Sequence, residues 1–428
     1  MRLKEWFALR GPSYIGQRAA ILLDRYGLAP VKAIARADRC VTMLAEHGCA
    51  PTFPTPGRIV ERYDRFVRHL QDAGAEIAVH GYDHLDLRTY PPAGASEQLA
   101  RAAKVFERCG IQVHGFRCPY LSCNDELLDA LPKGLFDYSS NQAVWCDAMP
   151  STGVSNASTI FDTLRRFYRP RSAQDTVCVP WIHFGMVEIP VCVPDDLQLH
   201  DGLHLGPEGI AKAWNRVLKQ TYLRGELFNL QFHPELASLC EQSFVAILEE
   251  ARRLQPQVWI ARLCDVSSWW REKSGFTVTG SRTLAGLHLS FTCSDRATIL
   301  VRGLSACDPE PLWSGSYYQL RSRELDVPAE PRPFVGLPAD APKEVVSFLH
   351  NQGYVLDTGE TATRCGTYID AATLARLTSE AALIDYIEAA TSPLVRYWRW
   401  PGGAKSAMCI TGDLDALTLL DYGSRLLV

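Results

Sequence analysis

Apolar residues recur every three to four positions in three early segments, each closed by glycine: PVKAIARADRCVTMLAEHG (30–48), RIVERYDRFVRHLQDAG (58–74) and ASEQLARAAKVFERCG (95–110). That period predicts amphipathic helices, each stopped by a residue that tolerates left-handed backbone. A short apolar run follows each one: CAPTFPTPG (49–57), AEIAVHGYDH (75–84) and IQVHGFRCPY (111–120). These read as strands. Later strand candidates are LFDYSSN (135–141), MVEIPVCVP (186–194), LFNLQFH (227–233) and QVWIARL (257–263). Repeated helix-then-strand units from residue 29 to about 273 predict an α/β fold, a parallel sheet with helices outside it. Their number suits a barrel, whose chemistry lies at the C-terminal ends of the strands.

The texture changes after SSWWREKSG. Residues 276–304, FTVTGSRTLAGLHLSFTCSDRATILVRGL, alternate in twos between polar turns and read as antiparallel β. DVPAEPRPFVGLPADAP (326–342) reads as a proline-rich linker, and KEVVSFLHNQG and DAATLARLTSEAALIDYIEAAT as helices. A glycine turn, WPGG (400–403), then leads through AMCI (407–410) into TGDLDALT (411–418). There is no internal repeat and no low-complexity tract.

At 428 residues the chain exceeds one ordinary core, so two to three domains or one large barrel with additions are expected. A net charge of −4 without any Lys/Arg run lacks the footprint of a nucleic-acid binder. No run of about 18 apolar residues is present, so no simple membrane span is expected. Glu5, Arg10, Gln17 and Arg18 interrupt the N-terminal stretch, which does not read as a signal peptide. Fourteen cysteines are scattered without a CxxC pair, the usage of buried reduced thiols, and the expected compartment is the cytoplasm.

Four short stretches carry the candidate chemistry. GDLDA sets Asp413 and Asp415 one residue apart at a strand end, where paired carboxylates serve a metal or a general base. HGYDH sets His80 and His84 four apart. Along an extended strand they would stand roughly 13 Å apart, whereas a turn after His80 would let both reach one ion. Arg117 in GFRCPY could hold a catalytic carboxylate ionised, and Pro119 could stiffen a loop that aims a backbone N–H at an oxyanion. His233 in LQFHPE is a candidate proton donor to a leaving amine. Each of these also has a plain structural reading; their order and spacing are the informative part.

The series AEIAVHGYDH, GFRCPY, DYSSN and LQFHP resembles the polysaccharide deacetylases of the NodB-homology class, carbohydrate esterase family four, over about residues 29–273. The resemblance implies a distorted (β/α) barrel that removes acetyl groups from sugars with one divalent metal, usually zinc. The family's first-strand aspartate motif is missing before residue 30, where AAILLDRYGLAP offers only Asp24 in a helix-like segment ending at Gly27. SAMCITGDLDALT has that form at the other end of the chain. The expected organisation is therefore a circular permutation: a barrel lacking its first strand over 1–273, a β-rich accessory domain over 274–330, a linker and helical segment over 331–405, and a returning strand with the DxD motif over 406–428.

Carried over residue by residue, the resemblance assigns Asp415, His80 and His84 to the metal and Asp413 to the general base. Arg117 would orient Asp413, the backbone N–H of Tyr120 would hold the oxyanion, and His233 would protonate the departing amine. Asp137, Asp195 and Asp196 are assigned to substrate binding. Asp137 also stands where the family carries an aspartate that buttresses the acid, with Trp145 only loosely placed, and Asp195 and Asp196 equally suit a helix cap. Asp83 reads as a solvated turn residue, with a place behind the two histidines as the alternative. The implied partner is an N-acetylated sugar, a polysaccharide or a glycoconjugate precursor. Two other readings stay open: a carbohydrate-binding protein on a degenerate barrel, and a glycosyltransferase whose DxD chelates a nucleotide sugar. The sequence leaves the sugar and the oligomeric state open.

Overall fold

The structure, a computed structural model, describes residues 20–148, 168–304 and 316–424. The N-terminal stretch read above lies outside them as far as residue 19. Strands β1 (Thr52–Thr55), β2 (Glu76–Val79), β3 (Gly115–Phe116), β4 (Tyr138–Ser139), β5 (Ala143–Trp145), β6 (Arg171–Ser172), β7 (Trp181–His183), β8 (Met186–Glu188), β9 (Val191–Val193), β10 (Leu227–Phe232) and β11 (Val258–Ile260) all join one sheet. Outside it run helices α1 (Val31–Glu46), α2 (Gly57–Asp72), α3 (Pro92–Arg108), α4 (Asp125–Ala130), α5 (Pro207–Arg224) and α6 (Ala237–Arg253).

That sheet is completed by the last strand of the chain. In the numbering of the whole chain it is β21 (Ser406–Gly412), and it lies between β10 and β1, parallel to both. Ala407–Gly412 pair with Leu227–Phe232, and Thr411 pairs with Thr52. All seven residues of β21 are buried. A strand covered on both faces and both edges needs a continuous apolar run rather than alternation, which is the composition of AMCI. The pairings β21–β1, β1–β2, β2–β3 and β3–β4 carry the sheet round to β8. Only residues 140–142 separate β4 from β5, and 189–190 separate β8 from β9. Because β5 pairs with β9 and β9 with β10, the seven parallel lanes close on themselves as a distorted barrel.

Helix α7 (Leu263–Ser274) seals the end where the strands begin. Leu263 N–H donates to Thr52 Oγ1 at 3.1 Å and Cys264 N–H to Glu76 Oε2 at 3.0 Å, while Tyr138 O–H donates to Glu76 Oε1 at 2.8 Å. Burial pushes the Glu76 carboxyl above its usual range against these hydrogen bonds.

Beyond α7 come two three-stranded antiparallel sheets. One joins β12 (Thr277–Arg282), β13 (Leu287–Thr292) and β16 (Glu324–Val327); the other joins β14 (Ile299–Arg302), β15 (Tyr317–Leu320) and β20 (Leu394–Tyr397). A small parallel sheet, β17 (Arg332–Gly336) between β18 (Leu356–Asp357) and β19 (Cys365–Tyr368), packs with helices α8 (Lys343–Asn351), α9 (Ala371–Arg376) and α10 (Glu380–Ala389). The proline-rich stretch is thus no linker: it contains the central strand of this sheet, and Val335 and Leu337 are fully buried. Proline is tolerated there because the register with β19 slips between Arg332 and Val335, around Pro333.

The last described residues return to the first described ones. Helix α11 (Leu419–Ser424) follows β21, Leu419 N–H donates to Gly27 O at 2.8 Å, and the Tyr422 ring stacks on Tyr26 with centroids 4.9 Å apart. Every described cysteine is a free thiol. No described helix is long and apolar enough to cross a membrane.

Candidate active site

The barrel interior is polar along one column. In the parallel pair β10–β21, Gln231 lies opposite Thr411, and Asn229, Gln231, Thr411 and Asp413 are all nine-tenths buried or more. Period-two alternation turns Asn229, Gln231 and His233 of one lane, and Thr411 and Asp413 of the next, to the same side. Arg117, fully buried just past β3, fills this column. Its Nη1 donates to Asp413 Oδ1 at 2.8 Å and to Thr411 Oγ1 at 3.0 Å, and its Nε donates to Ser140 O at 3.2 Å. Gln231 Nε2 donates to Asp413 Oδ2 at 2.7 Å. Both oxygens of Asp413 are thereby held, and its backbone N–H donates to Phe232 O at 3.0 Å. A buried ion pair of this kind breaks at a cost of about 3–5 kcal/mol when one partner is removed.

A turn brings the two aspartates together with the two histidines. Asp415 N–H donates to Asp413 O at 3.0 Å, and Leu414 N–H donates to Pro54 O at 2.8 Å, which ties the turn to β1. After His80 the chain bends at Gly81, with φ +74°, where a Cβ would stand 2.9 Å from Asp83 O. Only glycine fits that bend comfortably, and it returns His84 to a centroid distance of 5.0 Å from His80. Asp415 Oδ1 lies 3.3 Å from His80 Nε2, and Asp415 Oδ2 lies 3.2 Å from His84 Nε2.

These three donor groups fit one divalent ion. Ligands each about 2.0–2.1 Å from a tetrahedral ion stand about 3.3–3.4 Å from one another, whereas a charge-assisted hydrogen bond would close to about 2.7–2.9 Å. His80 Nδ1–H donates to Arg117 O at 2.8 Å, which leaves Nε2 as the lone-pair nitrogen facing Asp415. That buried Nε2 has no hydrogen-bond partner among the described residues. A cation is what such an atom lacks.

Across the same mouth, Asp196 Oδ1 accepts from His233 Nδ1 at 2.8 Å and Asp196 Oδ2 accepts from the His233 backbone N–H at 2.8 Å. Burial alone would depress the imidazolium, but the charge and hydrogen bond of Asp196 outweigh it, so the His233 pKa stands well above the ordinary histidine value. Asp195 Oδ1 caps Gln198 N–H at 2.7 Å, and burial pushes its carboxyl up to about 7. Ligand atoms of Asp195, Asp196 and His233 also lie within 4.8 Å of one another. Hydrogen-bond spacing at Nδ1 makes this a histidine with its orienting carboxylate rather than a second ion cradle.

A cavity of about 340 Å³ connects the two halves, lined by His84, Asp413, Asp415, Gln231 and His233 together with Tyr26 and Leu197. Tyr120 lies beside it in left-handed backbone, φ 60°, its ring edge-on to His84 at 4.6 Å. The Cys118 N–H donates to Asn141 Oδ1 at 2.7 Å and holds this loop to the next lane.

The structure thus brings together His80, His84, Asp415, Asp413, Arg117, Tyr120, His233, Asp195 and Asp196. Asp137 is a correction: it precedes β4, at the end of the barrel where strands begin, half-exposed beside His114, and cannot reach the mouth. The carboxylate that buttresses His233 is Asp196, and Asp195 serves as a cap. Asp83 is a second correction, since it is mostly buried and paired with Arg58. Gln231, Thr411, Ser140 and Asn141 escaped the sequence reading. Asn229 and Gln231 left a trace there, as polar residues two apart within an otherwise apolar strand.

Residues 33–135 match the family model described as polysaccharide deacetylase. Among solved structures, a chain from Mycobacterium smegmatis classed only provisionally as a polysaccharide deacetylase is 20% identical, with 59% of this chain and 82% of that one covered and a TM-score of 0.43. The Puue allantoinase is 17% identical (57% and 72% covered, TM-score 0.38), and the peptidoglycan deacetylase PdaC from Bacillus subtilis 15% (56% and 87%, TM-score 0.32). Likeness this distant carries no argument about chemistry. No curated protein matches. The segment that supplies His80, His84, Arg117 and Tyr120 lies within the match to the polysaccharide deacetylase model.

Proposed function

We propose that this chain is a metal-dependent hydrolase that removes the acetyl group from an N-acetylated sugar, with His80, His84 and Asp415 holding one zinc ion. Bound there, such an ion would supply Lewis-acid polarisation of the acetyl carbonyl and a water of lowered pKa. Asp413 accepts the proton of the attacking water at Oδ2, whose second lone pair is left by the Gln231 hydrogen bond. Arg117 holds Asp413 fixed at Oδ1 by a charge-assisted hydrogen bond. The Tyr120 N–H stabilises charge growing on the acetyl oxygen. His233, protonated and oriented by Asp196, delivers a proton to the sugar nitrogen as the C–N bond breaks, so that acetate and the free amine leave. The reading includes a permuted order of elements, in which the strand bearing the base and one ligand comes last in the chain.

One observation carries it. Asp413 stands outside the ligand triad, 3.9 Å from His80 Nε2, gripped by Arg117 and Gln231, and shares a cavity with a carboxylate-oriented histidine. A base and an acid flanking one ion cradle are what amide hydrolysis requires. The test is acetate release by the zinc-loaded protein from N,N′-diacetylchitobiose and from a panel of other N-acetylated sugars. Asp413→Asn is expected to lose about 10²–10⁴-fold in rate while still binding one zinc. No acetate from any member of the panel, or full activity in Asp413→Asn, overturns the proposal.

A further inference from the structure

A second cleft, of about 720 Å³, lies far from the barrel mouth, on the accessory side of α7. Its walls are the end of α7 and start of β12, the loop after β17, helix α8 and Tyr397 of β20. With α7 seated under the first residues of β1 and β2, this cleft faces away from the proposed catalytic centre.

Its charge is one-sided. Lys273 and Lys343 line it together with His350, and no carboxylate is among its described lining residues. Lys273 is only 6% exposed. Its Nζ donates to Asn351 O at 2.6 Å and lies 4.5 Å from the Trp270 ring centroid. No carboxylate forms an ion pair with it among the described residues. A buried ammonium lacking a counter-charge is costly. Burial, and then the nearby Arg396 and Arg399, push this amine down to about 7. Between these cations the walls offer the apolar faces of Phe276, Tyr354 and Tyr397 and the hydroxyls of Ser347 and Thr358. The volume lies in the range of small-molecule sites, roughly 300–1,000 Å³, and exceeds what a bare inorganic anion fills.

We propose that this cleft is a second ligand site, taking a phosphorylated small molecule whose phosphate sits against Lys273 and Lys343 while its organic body lies on the aromatic wall. A phosphate monoester is essentially dianionic at neutral pH, and it supplies the counter-charge that Lys273 lacks among the described residues. The body is either a sugar or a nucleoside, and the two are separated by the probes used.

The experiment is titration calorimetry of the full-length protein at pH 7 in matched chloride, with glucose 6-phosphate, AMP and inorganic phosphate as probes. One ester is expected to bind at one per chain, at least tenfold more tightly than inorganic phosphate. Lys343→Glu, a change on an exposed helix position, is expected to weaken that ester at least tenfold, and Lys273→Met to do the same. His80→Ala is expected to leave it unchanged, which separates this cleft from any anion at the barrel mouth. Failure of both esters to bind at millimolar concentration, equal affinity for inorganic phosphate, indifference to Lys343→Glu, or loss in His80→Ala would each overturn the assignment.

Discussion

The side chains at the barrel mouth divide the work by what touches them. His80 is fixed through Nδ1 by the Arg117 carbonyl, and the same arginine grips Asp413 through its guanidinium, so one buried residue orients both the proposed ligand and the proposed base. His233 owes its charge to Asp196. For a general acid, rate falls as pH rises through its pKa, and a raised pKa carries the alkaline limb upward. Asp196→Asn removes the charge, so the alkaline limb of kcat/KM is expected to move down by about 1–3 pH units; an unmoved limb would assign the proton donor elsewhere. The same pair contributes to stability with a definite sign. His233 has a folded-state pKa above its unfolded value, so its contribution is fully present below that unfolded value and is lost as pH rises through the folded one.

At the level of elements, β21 is both keystone and carrier. It fills the gap between β10 and β1 and delivers Asp413 and Asp415 at its C-terminal end. Ile410 is 1% exposed inside it. Ile410→Ala is expected to cost about 2–5 kcal/mol, read as a fall in the denaturation midpoint, with metal content at saturating zinc unchanged. Because Leu419 bonds to Gly27, the described end of the chain already lies beside its described start. A rearranged chain that begins at Ser406, runs through α11 and a short linker into the helix at 20–26, and ends at Lys405 is expected to fold and to bind one zinc. Circular dichroism and metal analysis would check it, and an unfolded product would show that the native order of the strand matters.

For the whole molecule, an ion at the mouth would join three lanes of the barrel, through His80 and His84 after β2, Asp415 after β21, and the Arg117 carbonyl behind His80 after β3. Chelation is expected to abolish acetate release and to remove the stabilisation that binding supplies, about 2.7 kcal/mol at a hundredfold excess over Kd, visible as a lower melting temperature restored by zinc. The accessory sheets close the opposite end, where α7 binds Thr52 and Glu76, and Trp269 Nε1 donates to Arg399 O at 2.7 Å.

Local pattern alone determined much of this protein. Helical spacing ending in glycine located α1, α2 and α3, and apolar runs located β2, β10 and β21, because a parallel strand covered on both faces is mostly apolar. His80, His84, Arg117 and His233 were legible since each stands one to five residues past such a run. Tertiary structure decided the rest. Asp137 and Asp196 look alike in sequence, yet one precedes its strand and the other follows, so only one reaches the mouth. The proline-rich stretch became a buried strand because Pro333 coincides with a register slip against its partner strand. Gln231 and Thr411 gained their place from pairing across 180 positions, a contact whose partners no local period records. Whether Asp413 meets Arg117 was settled by ring closure of the sheet, a property of all seven lanes at once.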